Sequence, residues 1–543
     1  MGEYEATGAE AEQYLRDGWW RSESLAEIVQ QTALAAPGAN AFIGSDGSLT
    51  WAQYATAAAV VEQSAKARGL ARGDRVAVLL PDSPVVHAVY LGLERAGYVT
   101  VGIGPRAGRQ EVEHLVGASG ARAFVSPTEH REHDFVLLAG SWIADGRLDH
   151  HFVVDGTNDQ ATIDGRPLGD PMSEKPASAG LRPDEVFLLN STSGTTGLPK
   201  LVRQTMNRWY AFHKLAVSAG NLSPDDVFMS VIPTPFGFGL WTAHFTPTLL
   251  GAQCVVMERF TANGMIEAIE RFGVTVLSAV STQFVMMLND PGLANHDMSS
   301  LRVLFTGGEA VPSERAARFE HETGAAVLQF FGSNETGALS ATTLSDSPDR
   351  RHTTAGRVIP EMQVRLFDED GLDVTASGRP GQPGCRGPVT CHGYHGGEGA
   401  NNELVRPDGW MLMGDIVEID DAGYLSVVGR KSDFIIRGGK NVSAQAVESA
   451  LLGVPRVSLV GVVAAPSATF GERVCAYLVL EDEGSISLEE VRDNLRSRGI
   501  SKETWPEFLV VVDELPISSG GKVAKVALRD DVAERVRAGE VST

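Results

Sequence analysis

Apolar and polar positions along this chain follow two rhythms. Leu25, Ile28, Val29 and Thr32 recur at the i, i+3, i+4, i+7 spacing of an amphipathic helix, and Ser22 or Ser24 stands where its first turn needs a cap. Ser48-Leu49-Thr50-Trp51 opens a further element after a turn. From Arg75 a strand–helix grammar begins: residues 75–80 form a buried-strand run that stops at Pro81, residues 84–96 read as a helix, and residues 98–103 read as the next strand. Strand, helix, strand implies a parallel sheet covered by helices. Residues 128–182 lack regular pattern and are expected to form loops and short strands. Apolar runs at 186–189 and 201–202 predict two strands with a loop between them. Further strands are predicted at 226–232, 252–257, 276–280, 303–305 and 327–331, each placing a loop at its carboxyl end, where α/β sheets bind ligands. Asp368-Glu369-Asp370-Gly371 reads as a hairpin-type turn, and the Gly/Pro-rich run 379–397 changes the texture to all-β. A smaller βαβ-like unit follows Gly429, with elements at 459–463, 474–480, 489–498 and 508–512. The expected fold class is α/β, with a large N-terminal domain over 1–431 and a small α+β domain over 432–543.

The 543 residues, 43% of them hydrophobic, are enough for several compact subdomains. A formal charge of −23 argues against a broad basic face for nucleic acid or an anionic membrane, so an anionic ligand must be received by a local cluster of donors. The opening MGEYEATGAEAEQYL has neither a basic n-region nor an apolar h-region, and no apolar run approaches the length of a membrane span; the expected location is cytoplasmic. Four cysteines make no disulfide framework, and Cys254 and Cys475 sit in apolar runs as small hydrophobes. Cys385, Cys391, His392 and His395 invite a zinc reading, but C-x5-C-H-x2-H matches no common site, and no metal is assigned there.

The densest chemistry lies in Asn190-Ser191-Thr192-Ser193-Gly194-Thr195-Thr196-Gly197-Leu198-Pro199-Lys200. Glycines let the backbone approach an anion, hydroxyl and backbone N–H groups donate, and Lys200 adds a mobile positive charge, which together suit a polyphosphate. The Walker pattern does not fit, because Leu198 and Pro199 separate Gly197 from its lysine. The competing reading is a hydroxyl-rich surface linker.

The order STSGTTGLPK resembles the signature loop of the adenylate-forming superfamily, which holds acyl-CoA synthetases, aryl-acid AMP ligases, peptide-synthetase adenylation domains and luciferases. Further resemblances follow in family order. Thr306-Gly307-Gly308-Glu309-Ala310 is similar to the adenine and substrate-wall loop, and Gln329-Phe330-Phe331-Gly332-Ser333-Asn334-Glu335-Thr336 to the next motif. There the family implies Gln329 at the purine edge, Phe331 stacked on adenine, Phe330 and Gly332 beside them, and Glu335 on Mg²⁺. A π face suits a purine, and a hard divalent cation on triphosphate wants one or two carboxylates. Asn334 departs from the usual threonine contacting the α-phosphate, yet still offers a donor. Asp408-Gly409-Trp410-Met411-Leu412-Met413-Gly414-Asp415 resembles the motif whose last aspartate takes both ribose hydroxyls, and Val427 and Arg430 join it on the nucleotide. Ser432 maps to the hinge, where Asp or Lys is commoner. Arg437, Gly438 and Gly439 map to the thioester-step loop, and Lys522 in Pro516–Lys525 maps to the lysine that bridges carboxylate and α-phosphate.

The resemblance implies a small β-barrel-like part in the large domain, a mobile C-terminal domain, and these roles. Thr192, Thr196, Lys200, Glu335 and Lys522 are catalytic, and Ser193, Gly194, Thr195, Gly308, Glu309 and Ala310 bind nucleotide. Phe236, Gly237, Phe238, Ser281, Gly307 and Gly332 line the acid pocket. Peptide-synthetase relatives place an aspartate at Gly237 to pair with an α-ammonium, and dihydroxybenzoate ligases an asparagine; this chain has neither, which points to an apolar aromatic or cycloaliphatic acid. The implied reaction uses ATP and Mg²⁺ to form an acyl-adenylate, then transfers the acyl group to coenzyme A or to a carrier-protein phosphopantetheine. Activation of another oxyacid such as nitrite, and a non-catalytic nucleotide sensor, are the rival readings. Residues 14–21 and the ending GGKVAKVALR also resemble stand-alone aryl-acid ligases. An acyl carrier protein and a second copy of the chain are the macromolecular partners the reading allows.

Overall fold

The computed structural model describes residue 6 and residues 8–131, 133–170, 180–192, 199–308, 311–437, 440–467, 471–481, 484–518 and 522–540. Two large sheets organise the first four hundred or so residues. The eight-stranded sheet has Arg75–Val78 between Val99–Gly102 and Ala123–Ser126, all parallel, with His150–Asp155 parallel beyond Ala123–Ser126. Val186–Ser191 runs parallel to Val99–Gly102, and Leu201–Thr205 pairs with it antiparallel; the two strands expected on either side of the hydroxyl-rich loop are present. The nine-stranded sheet has a parallel centre in the spatial order Asn40–Gly44, Gln253–Val256, Val227–Ser230, Val276–Ser278, Val303–Gly307 and Ala326–Ser333. Its antiparallel edges are Gly47–Thr50 on one side and Gly337–Ala341 with Arg357–Val358 on the other.

Local chemistry explains the helices that cover these sheets. Ser24 caps Leu25–Ala35 and Thr50 caps Trp51–Lys66, each in a reciprocal capping box with the residue three positions on, Glu27 and Gln53. Pro84–Ala96 begins with a proline, which needs no N–H in the first turn, and ends at Gly97 in the left-handed region. The region 128–182 is more ordered than its sequence suggests. It contains the helix Phe135–Ala144 and the sheet strand His150–Asp155 besides the expected short strands. The helix is apolar nearly all round, with Val136 and Leu137 exposed, so no stripe of period 3.6 marks it.

Residues 363–430 form two small antiparallel sheets. One contains Gln363–Phe367, Gln382–Arg386 and Met411–Leu412; the other contains Asp415–Ile419 and Leu425–Arg430. From Phe434 a separate mixed sheet begins, with Gly471–Leu480 between Val457–Ser467 and the parallel Phe508–Val511. It buries Val447, Leu451 and Leu478 on one face and Tyr477, Leu528 and Val532 on the other. Among the described residues no helix is long and apolar enough to cross a membrane.

Candidate active site

A cavity of about 950 Å³ opens between the carboxyl ends of the parallel strands and the C-terminal sheet unit. Its wall includes every described residue expected to touch nucleotide or acid: Thr192, Lys200, Phe236, Gly237, Phe238, Ser281, Gly307, Gly308, Gln329, Phe330, Phe331, Gly332, Asn334, Glu335, Asp415, Val427, Arg430 and Lys522. Ser193, Gly194, Thr195, Thr196, Glu309, Ala310, Gly438 and Gly439 lie outside the described residues.

The hairpin ending at Ser191 and restarting at Leu201 fixes the two ends of the phosphate loop. Thr192 N–H donates to the Lys200 carbonyl at 2.9 Å, and Lys200 N–H donates to Thr192 Oγ1 at 3.1 Å. The Lys200 ammonium lies 4.9 Å from the centre of the Tyr394 ring. Tyr394 donates its phenol to Glu335 Oε1 at 2.7 Å, and both residues line the cavity. Burial, and then the neighbouring Glu335 charge, push the Tyr394 phenol far above its ordinary pKa, so it stays a donor.

Glu335 and Asn334 sit at the tip of the turn between Ala326–Ser333 and Gly337–Ala341. Ser333 Oγ accepts from the N–H groups of Glu335 and Thr336, a local side-chain turn that holds the tip. On the next hairpin Asp415 stands directly opposite Arg430 in register. Burial raises the Asp415 carboxyl above its ordinary value, opposed by Arg430 and Lys522. Lys522 comes from the far side of the cavity, and its Nζ stands 3.2 Å from the point a β-carbon on Gly308 would occupy; Gly308 has a φ of +76°. Glycine is thus required at 308 twice over, by backbone conformation and by the approach of the lysine.

The acid end is aromatic. A short helical turn at Gly237–Gly239 runs into a π-helical segment, Leu240–Phe245, a departure from α geometry that is common at functional sites. Trp241 is 4% exposed, stacks on Phe238 at 5.5 Å and meets Phe305 and Phe330 edge-on, so it is core and cavity wall at once. Gln329 gives its amide N–H to the Arg351 carbonyl at 2.6 Å. Asn334, expected on the α-phosphate, pairs its amide with that of Asn190 by two 3.0 Å hydrogen bonds.

Two expected residues lie away from the cavity wall. Ser432 is exposed and donates to Asp433, and Arg437 forms a 2.8 Å ion pair with Glu507. Asp433 in turn pairs with Lys525 and Arg529, and Lys525 also pairs with Glu448 at 2.9 Å. Cys391 Sγ accepts from Gly393 N–H, and among the described residues no group of three or more His, Cys, Asp and Glu side chains is placed to hold a metal. Trp209, Arg208, Gln204 and Tyr394 are site neighbours that pattern reading missed, and Asn190, which opens the hydroxyl-rich run, carries no role from sequence. Only the position of Asn190 and Gln204 on the strands flanking the phosphate loop, and of Arg208-Trp209 in the helix just after them, signals their proximity.

The sequence profile of the AMP-binding enzyme family matches residues 29–395, and that of the AMP-binding enzyme C-terminal domain matches residues 446–522. The medium-chain fatty-acid–CoA ligase of Escherichia coli (strain K12) is 31% identical over 532 residues, covering 96% of this chain and 93% of its own length. A salicylyl-CoA synthase / salicylate adenylyltransferase from Streptomyces is 31% identical, with 96% of each chain covered. The crystal structure of the anthranilate CoA ligase AuaEII in complex with anthranoyl-AMP superposes with a TM-score of 0.84 at 23% identity, over 95% of this chain and 98% of that one, a likeness of fold. The profile match over more than half the chain, with relatives above 30% identity along nearly all of it, makes this chain a member of the AMP-binding, adenylate-forming enzyme family.

Proposed function

We propose that the chain is an AMP-forming acid–thiol ligase: a carboxylate oxygen attacks the α-phosphorus of ATP, pyrophosphate leaves, and the acyl-adenylate then gives its acyl group to a thiol with release of AMP. The observation that carries this reading is the convergence of Lys522 from the C-terminal unit with Glu335, Asp415, Arg430, Thr192 and Lys200 on one cavity. Negative charge shifts onto the α-phosphoryl oxygens and the leaving pyrophosphate in the transition state, so preplaced cations and donors are the main source of rate. Lys522, delivered against Gly308, supplies the charge beside the reacting atoms, while Lys200 and the Thr192 and Thr196 hydroxyls hold the departing phosphates. Asp415 accepts the ribose hydroxyls with Arg430 across the hairpin, and Phe331 and Gln329 border the purine. The donor set fits Mg²⁺ bound to a nucleotide, since one carboxylate, Glu335, faces the phosphate loop and the remaining ligands of such an ion are phosphate oxygens and water. That ion would offset phosphate charge.

We assign residues 1–431 to the adenylating domain and 432–543 to the lid. Rotation at Ser432 withdraws Lys522 and turns the loop of Arg437, Gly438 and Gly439 toward the adenylate, a gating step. Coenzyme A is the assigned thiol, in keeping with the names of two of the relatives. The aromatic walls of Phe236, Phe238 and Trp241, with no charge at Gly237, favour an apolar aromatic or cycloaliphatic acid. ATP–pyrophosphate exchange across a panel of acids tests the reading: exchange with one such acid is expected, and binding of ATP with no exchange for any acid would leave a nucleotide sensor instead.

A further inference from the structure

The unit that carries Lys522 is docked on the large domain by a short seam. Its strand Val457–Ser467 begins against two elements of that domain, the helix Ser313–Thr323 and the end of the helix Ser281–Leu288. Arg315, 13% exposed, donates to the Val457 carbonyl at 2.8 Å and to Glu481 at 3.3 Å. Arg318 donates to Asn289 Oδ1 at 3.1 Å. A guanidinium only donates, so the Asn289 oxygen faces Arg318 and its NH₂ is turned to Ser458, where it donates to Oγ at 3.0 Å. Leu459 joins two cores: it packs on the large-domain cluster that contains Phe284, Leu288 and Phe319, and on the C-terminal cluster that contains Tyr477 and Leu515.

The same strand backs the lysine loop. A β-carbon on Gly461 would stand 2.7 Å from the Leu528 side chain and 3.3 Å from that of Val523, the residue after Lys522. Ser518 N–H donates to the Lys522 carbonyl at 2.7 Å and Lys522 N–H to Ser518 Oγ at 3.3 Å, so the loop is closed on itself at the base of the lysine. Three residues of strand, about 10 Å, separate Ser458 in the seam from Gly461 under the loop. A displacement at the seam is therefore passed to Lys522 through a short, stiff element. Contacts at Val457, Ser458 and Leu459 belong to the arrangement in which Lys522 stands at Gly308, and rotation at Ser432 separates them.

We propose that Arg315 and Asn289 are positioning residues of the adenylation half-reaction: from the large domain they hold the strand that backs the lysine loop, and so hold Lys522 at the reacting phosphate. The inference rests on the adenylation reading of the cavity. An interaction made in one of two states shifts the balance between them by its whole differential free energy, and an interaction made in both shifts nothing. Arg315 gives a charge-assisted hydrogen bond to the carbonyl of Val457, a fully buried residue, and is the stronger of the two; Asn289 gives a neutral one and is the weaker.

The test separates the half-reactions in the full chain, with whichever acid the exchange panel shows to be fastest. Arg315→Ala should slow ATP–pyrophosphate exchange at least about tenfold, and Asn289→Ala or Ser458→Ala about two- to fivefold. Thioester formation from supplied acyl-adenylate and coenzyme A should be retained or faster in all three, because the lid leaves the Lys522 position more readily. In a Lys522→Ala background, Arg315→Ala should slow exchange no further, since it acts through the lysine; a merely structural role would lower both backgrounds alike. Trypsin cleavage after Lys431, exposed beside Ser432, should be faster in Arg315→Ala than in wild type. Exchange untouched by Arg315→Ala, equal loss in both half-reactions, or a further tenfold loss on top of Lys522→Ala would each overturn the proposal while leaving the adenylation reading in place. A wild type that exchanges with no acid would remove that reading, and the proposal with it.

Discussion

Asp82 links the scaffold to the acid pocket, and its titration can be read in stability. It is 9% exposed, and its Oδ1 accepts the Thr234 N–H at 2.7 Å, pinning the segment that runs into Phe236 and Gly237. Burial raises its carboxyl from 3.8 to about 6, against the lowering effects of Thr234 and of the Arg106 charge. At about 1.4 kcal/mol per pH unit, this corresponds to about 3 kcal/mol. The folded-state pKa is raised, so the contribution is fully present below pH 3.8, is lost as pH rises through 6, and is absent above it. Asp82→Asn keeps the acceptor for Thr234 but cannot ionise. The variant and wild type should therefore have similar stability at pH 4, and the variant should gain up to about 3 kcal/mol over wild type between pH 4 and 7.5. Urea unfolding followed by tryptophan fluorescence at four pH values, read as the difference between the two proteins, measures this. Curves that stay parallel across the window would refute the buried, ionising Asp82, and a variant weaker at every pH would show that Arg106 attraction outweighs desolvation.

Glu94, 2% exposed and raised by burial to about 8, should behave similarly: Glu94→Gln should remove a loss of stability that sets in above pH 4.5 and completes near pH 8, again read as a difference in unfolding curves. Gly308→Ala places a β-carbon 3.2 Å from Lys522 Nζ at a φ of +76°, so it should cost about 1 to 2 kcal/mol in stability and slow exchange at least about tenfold; unchanged exchange would mean that Lys522 does not work against this loop. Free α-amino acids, whose ammonium would face Gly237 and aromatic walls without a counter-charge, should exchange at least about a hundredfold more slowly than the best apolar acid, and a free amino acid as the fastest substrate would refute the pocket assignment.

Elements whose ends carry their own chemical signals were legible in the chain. Pro84–Ala96 was read to the residue because a proline opens it and a glycine closes it, and the hairpin around the phosphate loop was marked by apolar runs on both sides. The helix Phe135–Ala144 was missed because it has no polar face, and the strand His150–Asp155 because it opens with two histidines and only two of its six residues are buried. Motif residues were readable because each stands in a short glycine-flanked segment. Asn190 and Asn334 are 144 positions apart, and Arg208 sits among aromatic residues of a helix, Met206–Gly220, whose one-dimensional pattern does not say that a guanidinium is buried there. Their juxtaposition depends on the turn after Ala326–Ser333 folding back onto the phosphate-loop hairpin.

The central claim is that Lys522, carried by the C-terminal unit into this cavity, serves the adenylation step. Separating the two half-reactions of Lys522→Ala tests it most directly: pyrophosphate exchange reports adenylation, and thioester formation from supplied acyl-adenylate and coenzyme A reports the second step. Loss of a preplaced charge at the reacting phosphoryl group should cut exchange by about a thousandfold, with thioester formation retained within about tenfold. Equal loss in both half-reactions, or exchange that survives the substitution, would contradict it.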